Sequence, residues 1–416
     1  MNVVILGGGS VNTPAFFAAL TSQDDWLDGV CLVDRSAEAV ERTGKFCQTV
    51  AHTHALPVQL GWDTDLASAA SGADVVLSMI NVGGLAAMKE DLRRLAASGV
   101  VGHAATYPQA IRNLPATLEA ARAVEQVAPE ALWINFANPV SVLCEALALH
   151  TRLRCFGICY HAFAMRDDFA TLLGVRAERV QVEFFGLNHL GWVTDVQVDG
   201  ESRMSQLVET IRQGRNKKYN YWYVRPGLIP IDHAFCLYHK GDVWYNRQKG
   251  IRGSLRDIAL RLGLSGRGLD RESRKRQMLY QIIGEGRVEM LDRFHAQAPW
   301  YATCIVPFLR ALASDQPHEF VLTWNHMGQV PTLPDSTAES AVILQNGQAR
   351  RASEACGLPE FAAEWLRQAR ASEHLMIRAI LERSADLGMM AWAVHPNVAA
   401  IEHAEHLASL YFPKEE

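Results

Sequence analysis

Gly7-Gly8-Gly9-Ser10 stands directly behind the first apolar run of the chain, Val3–Leu6, and ahead of a helical pattern. Glycines at such a junction let the backbone turn tightly and approach a pyrophosphate, whose charge is met by the N–H groups of the following segment. Asp34 closes the second apolar run about twenty-five residues later, where a carboxylate can accept from adenosine ribose hydroxyls. This pattern predicts a nicotinamide dinucleotide held around Gly7, Gly9, Ser10, Val11, Asn12, Asp34, Arg35 and Asn81. Asp34 favours NAD, while Arg35 keeps the phosphorylated cofactor open. The competing readings are a plain turn, because Asn12 stands where the fingerprint's third glycine belongs, and a helix cap for Asp34.

A second constellation lies further on. Cys159 ends an apolar run in Gly157-Ile158-Cys159-Tyr160-His161, and Asn188-His189 follows thirty residues later, where a strand pattern restarts. One soft thiolate and one imidazole cannot fill a coordination sphere. They can hold a divalent cation whose other positions go to substrate oxygens or water, an open catalytic site. The plainer reading of a cysteine at a strand end is a core thiol. Asn138-Pro139, behind another apolar run, brings an amide and a carbonyl to the same rim.

These residues need elements to carry them. Val3–Leu6, Val30–Val33, Val75–Ile80, Ala131–Phe136 and Cys155–Cys159 read as buried parallel strands. Helical patterns fall between them at Pro14–Leu20, Ala37–Ala51, Met88–Ala97, Pro115–Val127 and Val140–Leu149. That alternation predicts an α/β, Rossmann-type, doubly wound parallel sheet with ligands at the carboxyl ends of its strands. Residues 1–175 are expected to form this NAD-binding domain. Residues 176–416 are expected to form a mixed α+β, largely helical domain for substrate, metal and dimerisation, opened by antiparallel strands at Val180–Phe185 and Gly191–Val198.

Composition bounds the function classes. The chain has 416 residues with 49% hydrophobic and 20% charged, enough for a sizeable core. A net charge of −5 offers no general attraction to nucleic acid or an anionic membrane. The eight cysteines form no CxxC pair, which fits reduced thiols and a cytoplasmic location. The start of the chain shows no signal-peptide pattern. Ala131–Leu149 is apolar and long, but Asn135, Asn138, Pro139 and Glu145 break it into a strand, a turn and a helix. Residues 247–276 are locally basic, which reads as a solvated helical face or, alternatively, as a lid or subunit contact.

The set formed by Gly7-Gly8-Gly9-Ser10 with Pro14, Asn138-Pro139, Cys159, Asn188-His189 and His395-Pro396 resembles glycoside hydrolase family 4, the NAD- and metal-dependent glycosidases related in fold to lactate and malate dehydrogenases. The resemblance runs over nearly the whole chain. It implies that Cys159 and His189 bind a divalent cation, typically Mn²⁺, and that Asn138 and Asn188 touch the sugar or the nicotinamide end. It also implies a route unlike two-carboxylate glycoside hydrolysis. NAD⁺ oxidises the sugar at C3, the acidified C2 proton is removed, the C1 oxygen is eliminated, water adds, and the hydride returns. A small-molecule glycoside is the expected partner, and a homo-oligomer, dimer or tetramer, the expected state.

The chain departs from the family at several places. Tyr160, followed by His161, stands where the family's acid is Asp or His. Pro230-Ile231-Asp232-His233 puts His233 in place of the usual tyrosine base, with Tyr238 a nearby substitute. A histidine suits proton abstraction at neutral pH. Ala104–Gln109 replaces a Gly-Pro-Gly-Gly loop. Asn81 stands where members acting on 6-phosphosugars carry an arginine, so an unphosphorylated hexoside or hexuronide is expected, with Arg112, Arg93 or a residue of the basic segment able to meet a carboxylate. The other readings are an NAD-dependent dehydrogenase of a hydroxy acid or polyol, and a non-catalytic NAD-binding regulator.

Overall fold

The computed structural model describes residues 1–98, 100, 102–213, 229–230, 266–330, 333, 336–352, 358, 360–398 and 400–413. Its frame is a parallel sheet built from β1 (Asn2–Leu6), β2 (Gly29–Val33), β3 (Gln59–Asp63), β4 (Val75–Ser78), β5 (Leu132–Asn135) and β6 (Cys155–Gly157). They lie in the order β3-β2-β1-β4-β5-β6, with every adjacent pair parallel. The order reverses at β1 and β4, so the crevice beyond their carboxyl ends is the expected ligand site of such a sheet.

Alternation along the strands divides the core. Val3, Ile5, Val75, Leu77, Leu132 and Ile134 join one apolar cluster, and Val4, Val76 and Trp133 join another. Successive side chains point to opposite faces, so the two clusters are the two faces of the sheet. Helices α1 (Pro14–Ala18) and α2 (Ala37–Thr53) cover the first face. Ser36 caps α2 by accepting from the Ala39 N–H, and Val40, Phe46, Cys47 and Val50 form its buried stripe. A Cβ on Gly44 would lie 2.4 Å from the Trp62 ring, so only glycine lets β3 pack there.

The second face is covered by α3 (Leu66–Ala70), α4 (Gly84–Ser98), α5 (Tyr107–Val127) and α6 (Val140–His150). Pro115 lies inside α5 rather than at its start. Pro108 is the proline in the first turn, and a 3₁₀ turn over Gly102–Thr106 leads into the helix. The apolar stretch 131–149 is the end of a loop, β5, a turn and α6. Among the described residues no helix is long and apolar enough to cross a membrane.

The sheet does not stop at β6. After α7 (Tyr160–Leu173) the chain forms β7 (Val180–Leu187) and β8 (Leu190–Val198), the antiparallel pair expected from their sequence. β9 (Glu201–Ser202) pairs with β8, and α8 (Met204–Arg212) follows. β10 (Ile229–Pro230) also joins β8. β11 (His318–Asn325) pairs with β6, and β12 (Thr337–Gln345) joins β11 to β7, with β13 (Gln348–Arg351) on β12. Among the described residues, 13 strands therefore make one mixed sheet, parallel through β6 and antiparallel beyond it. The remaining described helices include Gly266–Gly284, Glu360–Glu382, Ala385–Val394 and Ile401–Tyr411. Of the basic stretch, residues 247–265 lie outside the described residues, and 266–276 open the helix Gly266–Gly284, where Arg276 pairs with Glu272.

Candidate active site

The glycine turn sits at the carboxyl end of β1. The N–H groups of Gly7 and Gly8 both donate to the Val33 carbonyl, at 2.8 and 2.9 Å, which ties the turn to the end of β2. Gly7 has φ +94°, a conformation that favours glycine. Asp34 is fixed by two bonds, accepting from Gly9 N–H at 3.2 Å and Ser36 N–H at 3.1 Å. A Cβ on Gly9 would sit 3.0 Å from the Asp34 carboxylate and 2.9 Å from Ala39 Cβ. Gly7, Asp34, Arg35 and Asn81 line one cavity of about 490 Å³, walled by the apolar Leu66 and Ile80. A cleft with apolar walls, a glycine turn and a positioned carboxylate fits the adenosine half of a dinucleotide. Ser10 Oγ accepts from the Asn12 N–H, Val11 is buried in the core, and Asn12 Oδ1 is buried with no hydrogen-bond partner among the described residues.

Cys159 and His189 meet. Cys159 follows β6 and immediately precedes α7, while His189 forms the tip of the β7–β8 hairpin with φ +65°. Sγ of Cys159 lies 3.4 Å from Nε2 of His189. Two elements far apart in sequence thus present one sulfur and one imidazole nitrogen at the same spot. Among the described residues no group of three or more His, Cys, Asp or Glu could hold a metal ion. The pair fits an open site for a borderline divalent cation, with coordination left for oxygen ligands.

The other candidates are placed as follows. Asn138, at the end of β5, is exposed, and its carbonyl accepts from Asn113 Nδ2 at 2.7 Å. Asn188 is buried and donates to Glu339 Oε1 at 2.9 Å, so its amide anchors the hairpin tip beside His189. Arg112 does not offer an open guanidinium for a substrate carboxylate. It pairs with Asp91 at 2.7 Å and donates to the carbonyls of Val82 and Pro108. Arg93 is likewise engaged, with Glu90. Tyr160 opens α7 next to Cys159. Burial, then Cys304 and the nearby Asp167 and Asp168, push its phenol up, so it stays protonated and is a weaker acid than a free tyrosine. His161 is in α7, its side chain outside the described set; His233 and Tyr238 lie outside the described residues.

A buried polar network escapes sequence reasoning. Behind Asn138-Pro139, Ser141 donates to Glu373, and His103 Nε2 lies 3.0 Å from the same carboxylate. His103 Nδ1 is 2.9 Å from His395 Nε2, and His395 Nδ1 accepts from the Asn397 N–H at 3.0 Å. A backbone N–H can only donate, so His395 carries its proton on Nε2 and His103 carries its own on Nε2, facing Glu373. Burial keeps His395 neutral by pushing it well below its ordinary value. Burial opposes the charge on Glu373, but Arg370, 2.6 Å away, holds the carboxyl below its usual range. The only local trace of this network in the sequence is His395-Pro396; its other members come from distant segments.

Glu145 belongs to the same cluster. Burial works against its charge, yet Arg370, His374 and Thr337 reverse this and hold it down at about 2 against an ordinary 4.5. A carboxyl lowered by folding stabilises the protein fully above its unfolded value, and that stabilisation is lost as pH falls from about 4.5 toward 2. The expected contribution is roughly 3 kcal/mol. Between pH 7 and pH 3, denaturant unfolding should show a loss about 2 kcal/mol smaller in Glu145→Gln than in the parent, while the other lowered carboxyls, Glu373 among them, titrate in both.

Residues 2–175 match the model for family 4 glycosyl hydrolases, and residues 184–398 match that for the family 4 glycosyl hydrolase C-terminal domain. A probable 6-phospho-beta-glucosidase of Bacillus subtilis (strain 168) is 30% identical over 225 residues, 52% of this chain and 51% of that protein. The chain thus matches about half the length of that relative. The 6-phospho-beta-glucosidase of Escherichia coli (strain K12) is 24% identical over 358 residues, 80% of this chain and 77% of that one. In fold, the 6-phospho-beta glucosidase from Thermotoga maritima, solved with manganese, NAD+ and glucose-6-phosphate, is similar with TM-score 0.80 at 21% identity, over 99% of this chain and 97% of that chain. Malate dehydrogenase from Plasmodium falciparum is similar with TM-score 0.56 at 12% identity, over 92% of this chain and 99% of that one. The three glucosidases are named for phosphorylated sugars and give no support to the unphosphorylated substrate expected from Asn81. With matches to both its amino-terminal and carboxyl-terminal models spanning nearly its whole length, the chain belongs to family 4 of the glycosyl hydrolases.

Proposed function

We propose that the chain hydrolyses an O-glycosidic bond with NAD and a divalent cation, Mn²⁺ by the example of its relatives. The observation that carries this is the 3.4 Å approach of Cys159 Sγ to His189 Nε2, on the sheet that also presents the glycine turn and Asp34. A dehydrogenase of a hydroxy acid or polyol would need the dinucleotide cleft but not that pair. When bound, NAD supplies reversible oxidation of the sugar, and the cation supplies Lewis-acid polarisation of a sugar oxygen.

The chain's own groups bind, orient and move protons. Asp34, pre-set by Gly9 and Ser36, accepts from ribose hydroxyls. Cys159 and His189 hold the cation. Asn138 faces the sugar from the end of β5, and Asn188 acts through Glu339 to fix the hairpin that carries His189. Tyr160, at the start of α7 beside Cys159, is assigned the donation of a proton to the departing oxygen on its position in the sequence. His233, with Tyr238 as the alternative, is assigned the removal of the C2 proton on its position in the sequence alone.

For the sugar, the relatives' names favour a 6-phosphoglucoside. The neutral Asn81 favours a second reading, an unphosphorylated hexoside or a hexuronide, although the closure of Arg112 on Asp91 removes the cation expected to meet a hexuronide's carboxylate. Nitrophenyl α- and β-glucosides, their 6-phosphates and the glucuronides, assayed with NAD and Mn²⁺, separate the two. A kcat/KM at least about tenfold higher for a 6-phosphate supports the first reading, and the reverse ratio supports the second.

A further inference from the structure

Asn113 sits in the second turn of α5, facing inward and 2% exposed. Its side-chain amide is divided between two loops. Oδ1 accepts from the Val82 N–H at 2.9 Å, and Nδ2 donates to the Asn138 carbonyl at 2.7 Å. A backbone N–H only donates and a backbone carbonyl only accepts, so the amide's orientation is fixed. Val82 follows Asn81 in the loop after β4, which lines the cofactor cavity. Asn138 follows β5, the neighbouring strand.

The next peptide, Val82–Gly83, is held too. Arg112 Nε donates to the Val82 carbonyl at 3.1 Å, and Arg112 is itself fixed by Asp91 of α4. Gly83 continues the loop with φ +79°, a conformation open to glycine, and α4 begins at Gly84. A carboxamide is the smallest side chain that offers a donor and an acceptor in one rigid plane. Aspartate in its place keeps the acceptor and loses the donor; leucine loses both.

We infer that Asn113 is a positioning residue that sets the spacing between the cofactor-facing loop at Asn81-Val82 and the sugar-facing loop at Asn138. This rests on the function proposed above for the consequences in turnover, but the coupling itself is a property of the fold. Asn113 touches neither cofactor nor sugar; it acts through two backbone groups.

The test uses the full chain with Asn113→Asp and Asn113→Leu. Hydrogen exchange at the Val82 amide reads the first contact without any substrate. In Asn113→Leu it should rise roughly tenfold or more, while the amides of β5, Leu132–Asn135, keep their protection; in Asn113→Asp Val82 stays protected. Turnover reads the second contact. Both variants should lose about ten- to a hundredfold in kcat/KM for a glycoside, because a displaced loop misplaces what it carries. Unchanged exchange at Val82 in Asn113→Leu, or unchanged kcat/KM in both variants, would overturn the inference. If the parent chain cleaves no glycoside, the functional reading fails, and the Val82 exchange, together with NAD affinity measured by titration, still decides whether Asn113 couples the loops.

Discussion

Replacing Cys159 by serine should reduce glycoside turnover on the order of a thousandfold and abolish its response to added Mn²⁺. A hydroxyl is a poor substitute for a thiolate toward a borderline cation. Lewis-acid stabilisation is worth several kcal/mol, and each 1.36 kcal/mol is tenfold in rate. The fold should survive, because serine and cysteine are close in shape and Cys159 lies at a helix start rather than deep in an apolar cluster. Circular dichroism checks the fold, and titration of Mn²⁺ checks the site. Chelation of the parent protein should reproduce the same loss, and Mn²⁺ should restore activity to the parent but not to the variant. Full turnover in the presence of chelator would contradict the assignment of Cys159 and His189.

The second large effect is on the cofactor. Asp34→Ala should weaken NAD binding about ten- to a hundredfold, since a hydrogen bond to a charged group is worth roughly 1.5–3 kcal/mol. Asp34→Asn should lose less, because its one oxygen still accepts from one of the two N–H groups, Gly9 or Ser36, that bind the two carboxylate oxygens of Asp34. Arg35 lines the same cavity, so removing the carboxylate should also narrow the preference for NAD over NADP. Calorimetric titration of both dinucleotides measures all three changes. An Asp34→Ala protein with the parent's NAD affinity would place the ribose elsewhere.

The features legible in the sequence are those written locally. Val75–Ser78 and Leu132–Asn135 are buried on both faces, so they read as unbroken apolar runs. Gln59–Asp63 is the edge strand β3, exposed or half-buried along its length, and carries no such run. The continuation of the sheet through β11 and β12 is equally hidden, since the contact of Trp324 with Phe156 joins strands far apart in the chain. Cys159 and His189 could be paired as candidates because one closes a strand pattern and the other stands where a strand pattern restarts, and the fold puts them together.

Residues whose role depends on a distant partner were not legible. Arg112 reads as an available cation until Asp91 closes on it, and Asn113 reads as an ordinary helical polar residue until Val82 and Asn138 arrive. His103, Ser141, Glu373 and His395 come from four separate segments, and no spacing announces their proton chain. The acid–base pair remains a proposal from sequence, with Tyr160 placed beside Cys159 and His233 outside the described residues.

The central claim is that this chain cleaves a glycoside through its dinucleotide rather than by direct displacement. Hydrolysis in D₂O with NAD and Mn²⁺, followed by NMR of the released sugar, tests it most directly. Deuterium should appear at C2, and the reduced cofactor should not accumulate with turnover, because it is consumed within each cycle. A stoichiometric rise of NADH with substrate would mark a dehydrogenase instead. Undiminished hydrolysis by protein stripped of NAD, giving sugar without deuterium at C2, would contradict the account.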